Sequence, residues 1–463
     1  MGYLINGTLA FIFILGAAVV IHEFGHFIVA KLLGIRVETF SVGFGKRIWG
    51  RRWGTTDYRL SLVPLGGYVK LGGDESNASI EGESASDIPT RERFDLRPRW
   101  QKFLVGIAGP VMNVLTALAI PFIGAMAIGV PASPTPVVNV IEDGSAAQVA
   151  GLKKGDRIVS FNGTDSPTWR QIEGDAMLAP EQSLPLTVER EGQRIPTNIK
   201  PVKRTRNGEA YGVLGMQPDF GALPGLLDEV REGSPAAAAG LKGGDRIVAI
   251  GGEDVRDNEH IAQYIQEHPG AIRITVERDG ARQELQTGEA RLPDGKLGIG
   301  FQEVPTERVG PLAALAYAYN LNVEIMRLTG KALGQVFSGK RSARDTFSGP
   351  IGIARASSQA ANEGGWGGIF GMLAFLSLNL GIFNLLPIPV LDGGMIFMLF
   401  VEGALAWIGV KLSMTMRERI QQVGFVFLLL LMGFVIINDI TKTAAGWRSS
   451  SNNPPAATSS PTK

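Results

Sequence analysis

Two histidines and a glutamate stand within five positions near the start of the chain, in the stretch HEFGH. On an α-helix, residues four apart lie one turn apart on one face, so the imidazoles of His22 and His26 can reach one tetrahedral zinc ion. Glu23 would lie beside the metal without binding it, where it can act as a general base toward water. The pattern predicts zinc-dependent hydrolysis, although five residues alone are a weak signal.

The surroundings of this stretch strengthen the zinc interpretation. Residues 4–33 are otherwise almost entirely apolar, and a charged residue at the centre of a membrane helix costs roughly 2.5–3.5 kcal/mol to insert. Three ionisable groups in such a segment need a compensating partner inside a protein-lined cavity, and a divalent metal ion is the obvious one. The alternative is a polar patch that only holds helices together.

A third ligand must come from elsewhere, because catalytic zinc sites use three protein ligands. The other histidines, His260 and His268, fall in a β-rich region, and we expect them at its surface. Within apolar segments the available carboxylates belong to Asp392, Glu402 and Asp439.

Asp392 is distinguished by the residues around it, NLLPIPVLDGG. Pro387 and Pro389 prevent a regular helix, since each lacks an N–H donor and obstructs the preceding turn. Broken backbone at membrane depth is tolerated only where it lines a cavity or is buried in protein. We therefore expect Asp392 beside an interior cavity as the third ligand; the alternative is an aspartate that caps the next helix.

The chain has four segments long and apolar enough to cross a bilayer, at about residues 4–33, 103–130, 369–390 and 423–440. We do not expect the first to be a cleaved signal peptide, because it is too long and has no basic n-region. A net charge of +1 gives no basic footprint, so we expect no nucleic-acid partner, and the absence of cysteine excludes disulfides and thiolate metal sites.

Lysine and arginine are concentrated beside the first, second and fourth apolar segments. These residues are Arg36, Lys46, Arg47, Arg51, Arg52, Arg91, Arg93, Arg97, Arg99, Lys102, Lys411, Arg417 and Arg419. Basic residues near membrane ends favour the cytoplasm, so we expect loops 36–102 and 411–419 there and both termini outside. Lys340, Arg341 and Arg344 argue weakly for the opposite orientation but are outnumbered.

The region between the second and third apolar segments contains an internal repeat. GSAAQVAGLKKGDRIVSFNG at residues 144–163 returns as GSPAAAAGLKGGDRIVAIGG at 233–252, with 13 of 20 positions identical. The stretches AGLKKGDRIVSFNG and AGLKGGDRIVAIGG resemble bacterial protease-associated PDZ modules, which bind peptides by adding a strand to a sheet edge. The alternative is that the modules are steric plugs that never bind a peptide.

The resemblance to PDZ modules implies a carboxylate-binding loop in each copy. The candidate residues are Leu214 and Gly215 in YGVLGM, and Ile299 and Gly300 in LGIGF. Because bacterial modules can be circularly permuted, the sequence leaves open which loop serves which copy.

The remaining segments complete the predicted architecture. YRLSLVPLGGYVKLGG (58–73) predicts a hairpin that turns at Gly66-Gly67, the acidic stretch 74–87 predicts a mobile loop, and 311–337 predicts an amphipathic helix that does not span. The fold class is a polytopic α-helical membrane protein with four transmembrane helices, two inserted β-rich PDZ domains and a membrane-associated β region.

The predicted division of the chain follows from these features. It comprises a first transmembrane helix (1–35), a cytoplasmic-side β region with a mobile loop (36–101), a second transmembrane helix (102–130), two PDZ-like domains (131–218 and 219–305), an extracytoplasmic amphipathic helical segment (306–365), a third transmembrane segment with a following helix (366–410), a cytoplasmic loop with the fourth transmembrane helix (411–441) and a disordered tail (442–463).

HEFGH in the first apolar segment and NLLPIPVLDG at 384–393 together resemble the site-2 protease family of zinc-dependent intramembrane proteases. The tandem PDZ modules resemble its bacterial branch, which regulates sigma factor E, and the likeness covers nearly the whole chain except the tail. FSGPIGIA (347–354) and AGPVMN (108–113) are also similar to family stretches. For AGPVMN we expect small-residue helix packing rather than catalysis.

The resemblance implies a role for each motif residue. His22, His26 and Asp392 would bind one zinc ion, and Glu23 would be the catalytic base. Four further residues would contact the substrate or its transition state: Asn384, which would help hold the developing oxyanion, Pro387, and Gly66 and Gly67 of the β region.

The resemblance also implies substrates and location. The substrates would be single-span membrane proteins trimmed beforehand, such as an anti-sigma factor of the envelope stress response, and remnant signal peptides. Besides these substrates, membrane lipid would be a partner. The protein would lie in the bacterial inner membrane with the PDZ pair in the periplasm and the zinc site toward the cytoplasm. Two alternatives are a non-catalytic PDZ scaffold, which would not need Glu23, and a zinc transporter or sensor, which would not need peptide-binding modules.

Overall fold

The computed structural model describes residues 2–74, 88–206, 209–218, 225–255, 258–278, 280–292, 296–301, 306–409 and 413–452. Two units are present, the first comprising Met1–Ala127, Thr205–Ala210 and Val309–Lys463 and the second Ile128–Arg204 and Tyr211–Arg308. Apart from Asp74, the loop predicted to be mobile lies outside the described residues, as does the last part of the predicted tail.

The secondary-structure elements have the following bounds. The helices are α1 (Gly2–Leu32), α2 (Arg99–Ala127), α3 (Ala146–Val149), α4 (Trp169–Met177), α5 (Pro235–Ala238), α6 (Asn258–Glu267), α7 (Pro311–Phe337), α8 (Ala343–Thr346), α9 (Pro350–Asn384), α10 (Asp392–Trp407) and α11 (Met414–Asn452), with a 3₁₀ turn at Thr90–Glu92. The strands are β1 (Val37–Trp53), β2 (Thr56–Leu71), β3 (Val130–Pro131), β4 (Val138–Ile141), β5 (Arg157–Phe161), β6 (Thr164–Asp165), β7 (Leu184–Arg190), β8 (Gln193–Ile199), β9 (Val202–Arg206), β10 (Glu209–Val213), β11 (Met216–Pro218), β12 (Leu227–Val230), β13 (Arg246–Ile250), β14 (Glu253–Asp254), β15 (Arg273–Arg278), β16 (Ala281–Gln286), β17 (Ile299–Phe301) and β18 (Thr306–Glu307).

Four helices in the described part of the chain are long and apolar enough to cross a membrane. They are Gly7–Leu32, Arg99–Ala127, Gly364–Asn384 and Arg419–Thr443, and they correspond to the four predicted segments. The third helix ends at Asn384, before the apolar segment ends, because Pro387 and Pro389 follow and cannot continue a helix.

The predicted amphipathic helix is α7, and it packs against α2 through small residues. Ala314, Ala318 and Asn322 are buried, and the Asn322 side-chain amide donates to the backbone oxygen of Ala117 at 2.9 Å. The larger apolar residues Leu312 and Tyr319 of this helix are more than half exposed. Small side chains let two helix backbones approach closely, so they form this interface.

The C-terminal helix differs from its prediction. α11 continues to Asn452, so residues 442–452 are helical, whereas the sequence predicted disorder from residue 442 onward. No proline or glycine pair interrupts the chain between Ile440 and Asn452, and the helix of the fourth apolar segment continues until PP at 454–455 approaches.

The β region between α1 and α2 corrects the predicted hairpin. The turn lies at Gly54, which has φ +61°, between β1 and β2. Gly66 and Gly67 instead lie inside β2, where Gly67 pairs with Val42 of β1. A Cβ on Gly67 would lie 2.5 Å from the Ser41 backbone oxygen, so glycine here permits a close strand approach rather than a turn.

β1 and β2 are long enough to fold back on each other and form more than a simple hairpin. Residues 39–42 lie between residues 57–60 on one side and residues 67–70 on the other. In the described part of the chain, residues 67–71 pair on one side only, so they form an edge of this sheet. An edge strand presents backbone groups that another strand can pair with.

The two copies of the sequence repeat fold alike in the second unit. The first copy forms a sheet of order β6-β5-β7-β8 with α4, and the second forms β14-β13-β15-β16 with α6. Each copy has its own apolar core, which includes Ile158, Phe161, Ile172 and Val188 in the first and Leu227, Ile247, Ile261 and Ile274 in the second.

A buried ion pair recurs at the same place in both copies. Arg190 Nε donates to Asp156 Oδ1 at 2.7 Å, and Arg278 Nε donates to Asp245 Oδ1 at 2.6 Å. Burial raises the pKa of each aspartate, but the hydrogen bonds from arginine and from backbone N–H groups outweigh it, so both pKa values are below their usual range. The aspartate of each GDR triplet thus pairs with an arginine at the end of a later strand of its own copy, β7 in the first and β15 in the second.

The two candidate carboxylate loops belong to different copies. In the first copy β11 pairs with β4, and the Ala147 N–H donates to the Leu214 backbone oxygen. In the second copy β17 pairs with β12, and the Ala236 N–H donates to the Leu297 backbone oxygen. The structure therefore resolves the assignment that the sequence left open.

Candidate metal centre

His22 and His26 lie one turn apart on α1, and both side chains are almost fully buried. Their Nε2 atoms are 3.2 Å apart. The two imidazoles converge on one point because the helix places positions i and i+4 on the same face. Gly25 lets α2 approach this face, since a Cβ there would lie 2.3 Å from the Ala108 backbone oxygen.

Asp392 completes the group from a distant part of the chain. It is the first residue of α10, directly after the non-helical segment that contains Pro387 and Pro389. Its Oδ2 atom is 3.0 Å from His22 Nε2 and 3.4 Å from His26 Nε2. Asp392 is the first helical residue after the N-cap Leu391, and its carboxylate faces the two histidines rather than capping the helix.

These three atoms fit a zinc ion. Tetrahedral zinc with ligand bonds of about 2.0–2.1 Å separates neighbouring ligand atoms by about 3.3 Å, and the three observed separations lie between 3.0 and 3.4 Å. In the described part of the chain this is the one group of three potential ligands close enough to share an ion.

The other candidate carboxylates have different partners. Glu402 pairs with Arg417 at 2.7 Å, and Asp439 accepts hydrogen bonds from backbone N–H groups at the start of α9. The remaining histidines lie in the second unit, where His268 is exposed and stacks on Tyr264, whereas His260 is buried and not at the surface as expected.

Glu23 lies beside the three potential ligands but outside them. Its Oε2 accepts a hydrogen bond from the Val69 N–H at 3.2 Å, so the edge of the β1–β2 sheet holds this carboxylate. A half-buried glutamate next to two potential ligand histidines has the position expected of a general base.

The second span contributes two contacts that sequence reasoning missed. His26 Nδ1 is 2.7 Å from the Val105 backbone oxygen, and His22 Nδ1 is 3.1 Å from Asn113 Nδ2. A Cβ on Gly109 would lie 2.3 Å from His26 Nε2, so α2 packs directly onto the site.

AGPVMN thus packs α2 onto α1 through small residues, as expected, and its Asn113 also contacts His22 of the candidate site. A usable signal was present in the sequence, because an asparagine within an apolar span is costly to bury and needs a partner, as the histidines do.

The residues predicted to contact the substrate lie around this centre. Asn384 Nδ2 is 3.3 Å from His22 Nε2, and Pro387 lines a groove with Pro389 and α11. Gly66 and Gly67 face α1, where a Cβ on either would lie 3.4 Å from the side chain of a valine.

The predicted peptide-binding residues lie in or next to the two loops of the second unit. Leu214 and Gly215 precede β11, and Gly215 has φ +66°. Its counterpart in the second copy is Gly298, with φ +83°, because a Cβ on either would lie within 2.5 Å of the serine Cβ at the start of the adjacent short helix. Ile299 and Gly300 follow in β17, beyond the loop itself.

Comparison with known proteins covers nearly the full chain. The family model of Peptidase family M50 matches residues 10–431. A "Putative zinc metalloprotease" of Vibrio cholerae is 32% identical over 94% of this chain and 98% of its own length. The "Regulator of sigma-E protease RseP" of Escherichia coli K12 is 31% identical and the "Protease RseP" of Yersinia pestis is 33% identical, over the same shares.

Proposed function

The chain belongs to peptidase family M50 and is a zinc metalloprotease, and from this we propose that it hydrolyses peptide bonds within the membrane, with one zinc ion held by His22, His26 and Asp392. One observation carries the proposal. Three ligand atoms from two apolar helical regions lie at the separations of a tetrahedral zinc site, and Glu23 stands next to them.

Each residue of the site has a separate role in hydrolysis. Zinc, when bound, supplies a Lewis acid that polarises a carbonyl and lowers the pKa of water to about 7. Glu23 takes a proton from the attacking water and later delivers it to the leaving amine. The Asn384 side-chain amide, which points toward His22, donates to the oxyanion that develops on the substrate carbonyl.

The β1–β2 sheet presents the substrate in this proposal. A transmembrane helix shields its carbonyls by its own hydrogen bonds, so the scissile segment must first unwind. Residues 67–71 form a sheet edge next to Glu23, and an unwound substrate strand would pair with that edge. Gly66 and Gly67 lack side chains that would obstruct such a strand, and Pro387 lines the groove beyond.

The two repeat modules are PDZ domains that control access. They act as a size filter or docking gate, so only membrane proteins whose external domain has been trimmed reach the zinc site. Two relatives are named as regulators of sigma E or as RseP, which supports an anti-sigma factor of the envelope stress response as substrate, together with remnant signal peptides.

The proposed setting is the inner membrane of a bacterium. The distribution of lysine and arginine favours cytoplasmic loops at 36–102 and 411–419, with both termini and the two PDZ domains in the periplasm. The zinc site then lies within the membrane toward the cytoplasmic side.

Replacement of the general base tests the mechanism. We expect Glu23→Gln to lower cleavage of a single-span reporter in proteoliposomes by at least 10³-fold while bound zinc, measured by elemental analysis, stays at the wild-type ratio. Glu402→Gln is the matched control, because Glu402 also lies in an apolar helix but pairs with Arg417 away from the site. Cleavage at the wild-type rate by the Glu23 variant, with zinc bound, would contradict the mechanism in which Glu23 is the general base.

A further inference from the structure

In each histidine of the metal centre, one ring nitrogen faces the point that the three potential ligands share, and the other ring nitrogen faces α2. The Nε2 atoms of His22 and His26 face Asp392, and their Nδ1 atoms face Asn113 and Val105. A neutral imidazole that binds zinc through Nε2 must carry its proton on Nδ1. The groups that contact Nδ1 therefore decide whether the lone pair on Nε2 is available.

For His26, the group that contacts Nδ1 is a backbone carbonyl. The Val105 oxygen, 2.7 Å from His26 Nδ1, can only accept a hydrogen bond. His26 Nδ1 must therefore carry the proton, and its Nε2 lone pair is free for the metal.

For His22 the partner is an amide that can act in two ways. In one orientation Asn113 Nδ2 donates to His22 Nδ1 at 3.1 Å, which would place the ring proton on Nε2 and prevent metal binding there. The Asn113 side chain is fully buried, and in this orientation its Oδ1 atom has no hydrogen-bond partner in the described part of the chain. Exchanging the oxygen and nitrogen of an amide preserves its shape. That exchange brings Oδ1 against His22 Nδ1, where it accepts a hydrogen bond from the Nδ1–H group that zinc binding through Nε2 requires.

We propose that Asn113 is a positioning residue for zinc, whose side-chain oxygen accepts a hydrogen bond from the Nδ1–H group of His22 and so keeps the His22 Nε2 lone pair directed at the metal. This inference rests on the proposed function, because it assumes that His22 binds zinc. Partners of this kind typically change metal affinity by 10–100-fold when they are removed.

The packing of α2 makes Asn113 difficult to replace by solvent. Gly109, one turn earlier, brings the α2 backbone against both histidines. Asn113 has no exposed surface, so water cannot take over the contact with His22 Nδ1. The same helix thus supplies both Nδ1 acceptors, a carbonyl for one histidine and an amide for the other.

Two substitutions of Asn113 separate this role from simple packing. Leucine has nearly the same size but accepts no hydrogen bond, whereas aspartate can only accept. In the full-length protein in detergent, we expect Asn113→Leu to raise the zinc Kd by 10–100-fold, measured by competition with a chromophoric chelator, and Asn113→Asp to stay within about threefold of wild type. With cobalt as the probe, the Leu variant should also show an altered visible absorption spectrum.

The control is Thr116→Val, a polar-to-apolar replacement in the same helix, since the Thr116 hydroxyl donates only to its own helix at Met112. We expect this variant to keep the wild-type zinc Kd. The inference is overturned if Asn113→Leu binds zinc like wild type, or if Asn113→Asp loses as much affinity as Asn113→Leu.

His22→Ala distinguishes failure of the inference from failure of the proposed site. If His22→Ala leaves zinc binding unchanged, the proposed site is wrong and the role of Asn113 falls with it. If His22→Ala abolishes zinc binding while Asn113→Leu has no effect, only the role of Asn113 is refuted.

Discussion

His22, His26 and Asp392 are each costly in an apolar environment, and their convergence explains why all three are present. Separately, each would need its own polar partner at membrane depth. Together they place three ligand atoms within 3.4 Å of one another, so a single divalent ion can satisfy them all. The same property makes these residues costly to insert into a membrane and useful in catalysis. In both cases their ionisable groups lie where water does not solvate them.

A single methyl group on α2 should disrupt the centre. A Cβ on Gly109 would lie 2.3 Å from His26 Nε2, so we expect Gly109→Ala to displace the imidazole and lower both zinc occupancy and cleavage at least tenfold. Gly124→Ala is the control in the same helix, since a Cβ there meets nothing within 4 Å. Zinc per protein, measured by elemental analysis, checks the prediction, and equal occupancy in the two variants would contradict it.

At the scale of elements, the chain uses buried polar contacts to fix helices that apolar packing alone would leave free to slide. In a lipid environment apolar surfaces gain little from contact with each other, so hydrogen bonds and small residues decide which helices pair. Asn322 joins α7 to α2, and Asp439 joins α11 to the start of α9. The FSGPIGIA stretch, which resembles a family motif, contains the backbone that Asp439 binds.

Loss of the Asp439 contact should destabilise the packing of α11 on α9. Its carboxylate accepts hydrogen bonds from the N–H groups of Gly349, Ile351 and Gly352 and so caps the start of α9. We expect Asp439→Leu to lower the free energy of unfolding by about 2 kcal/mol and Asp439→Asn by less, because the amide still accepts. A lowered thermal unfolding midpoint would be the result.

Ile437→Ala is the control for the Asp439 variants, because Ile437 is 64% exposed on the same helix and should shift the midpoint little. If Asp439→Leu unfolds at the wild-type temperature, the capping contact does not stabilise the helix pair.

At the scale of the whole molecule, two units with different folds contribute to one proposed activity. The apolar helices and the β1–β2 sheet hold the metal centre, and the repeated modules form separate apolar cores with their own buried ion pairs. A protease that cleaves within the membrane must avoid intact membrane proteins, and folded modules outside the bilayer can exclude them by size. In the proposed mechanism, selectivity and chemistry therefore reside in different units of the chain.

Damage to a loop of the second module should weaken substrate selection without abolishing chemistry. A Cβ on Gly298 would lie 2.5 Å from the Ser234 side chain, and the residue has φ +83°, so we expect Gly298→Val to distort this loop. The variant should cleave a reporter with a large external domain at least tenfold faster than wild type, while cleavage of a trimmed reporter changes less than twofold. Gly270→Ala, where a Cβ meets nothing, is the control. Unchanged discrimination between the reporters would argue against a filter.

The amino-acid sequence by itself determined the features that depend on local pattern or on the free-energy cost of placing polar groups in apolar segments. Apolar length specified the four helices that can cross a membrane, near-identity specified the repeat, and the prolines of NLLPIPVLDGG marked where a helix had to break. The broken backbone of that stretch also distinguished Asp392 from Glu402 and Asp439 as the candidate third ligand. Comparison with relatives supported the family that these motifs indicated.

Only the tertiary structure decided which distant groups meet. It placed Asn113 against His22 and Val69 against Glu23, assigned each loop to its module, and moved the hairpin turn from Gly66-Gly67 to Gly54. A glycine pair permits either a turn or a close strand approach, and an asparagine among small residues permits either packing or a hydrogen bond. Local sequence cannot choose between these outcomes, because the choice depends on backbone that folds against the residue from elsewhere in the chain.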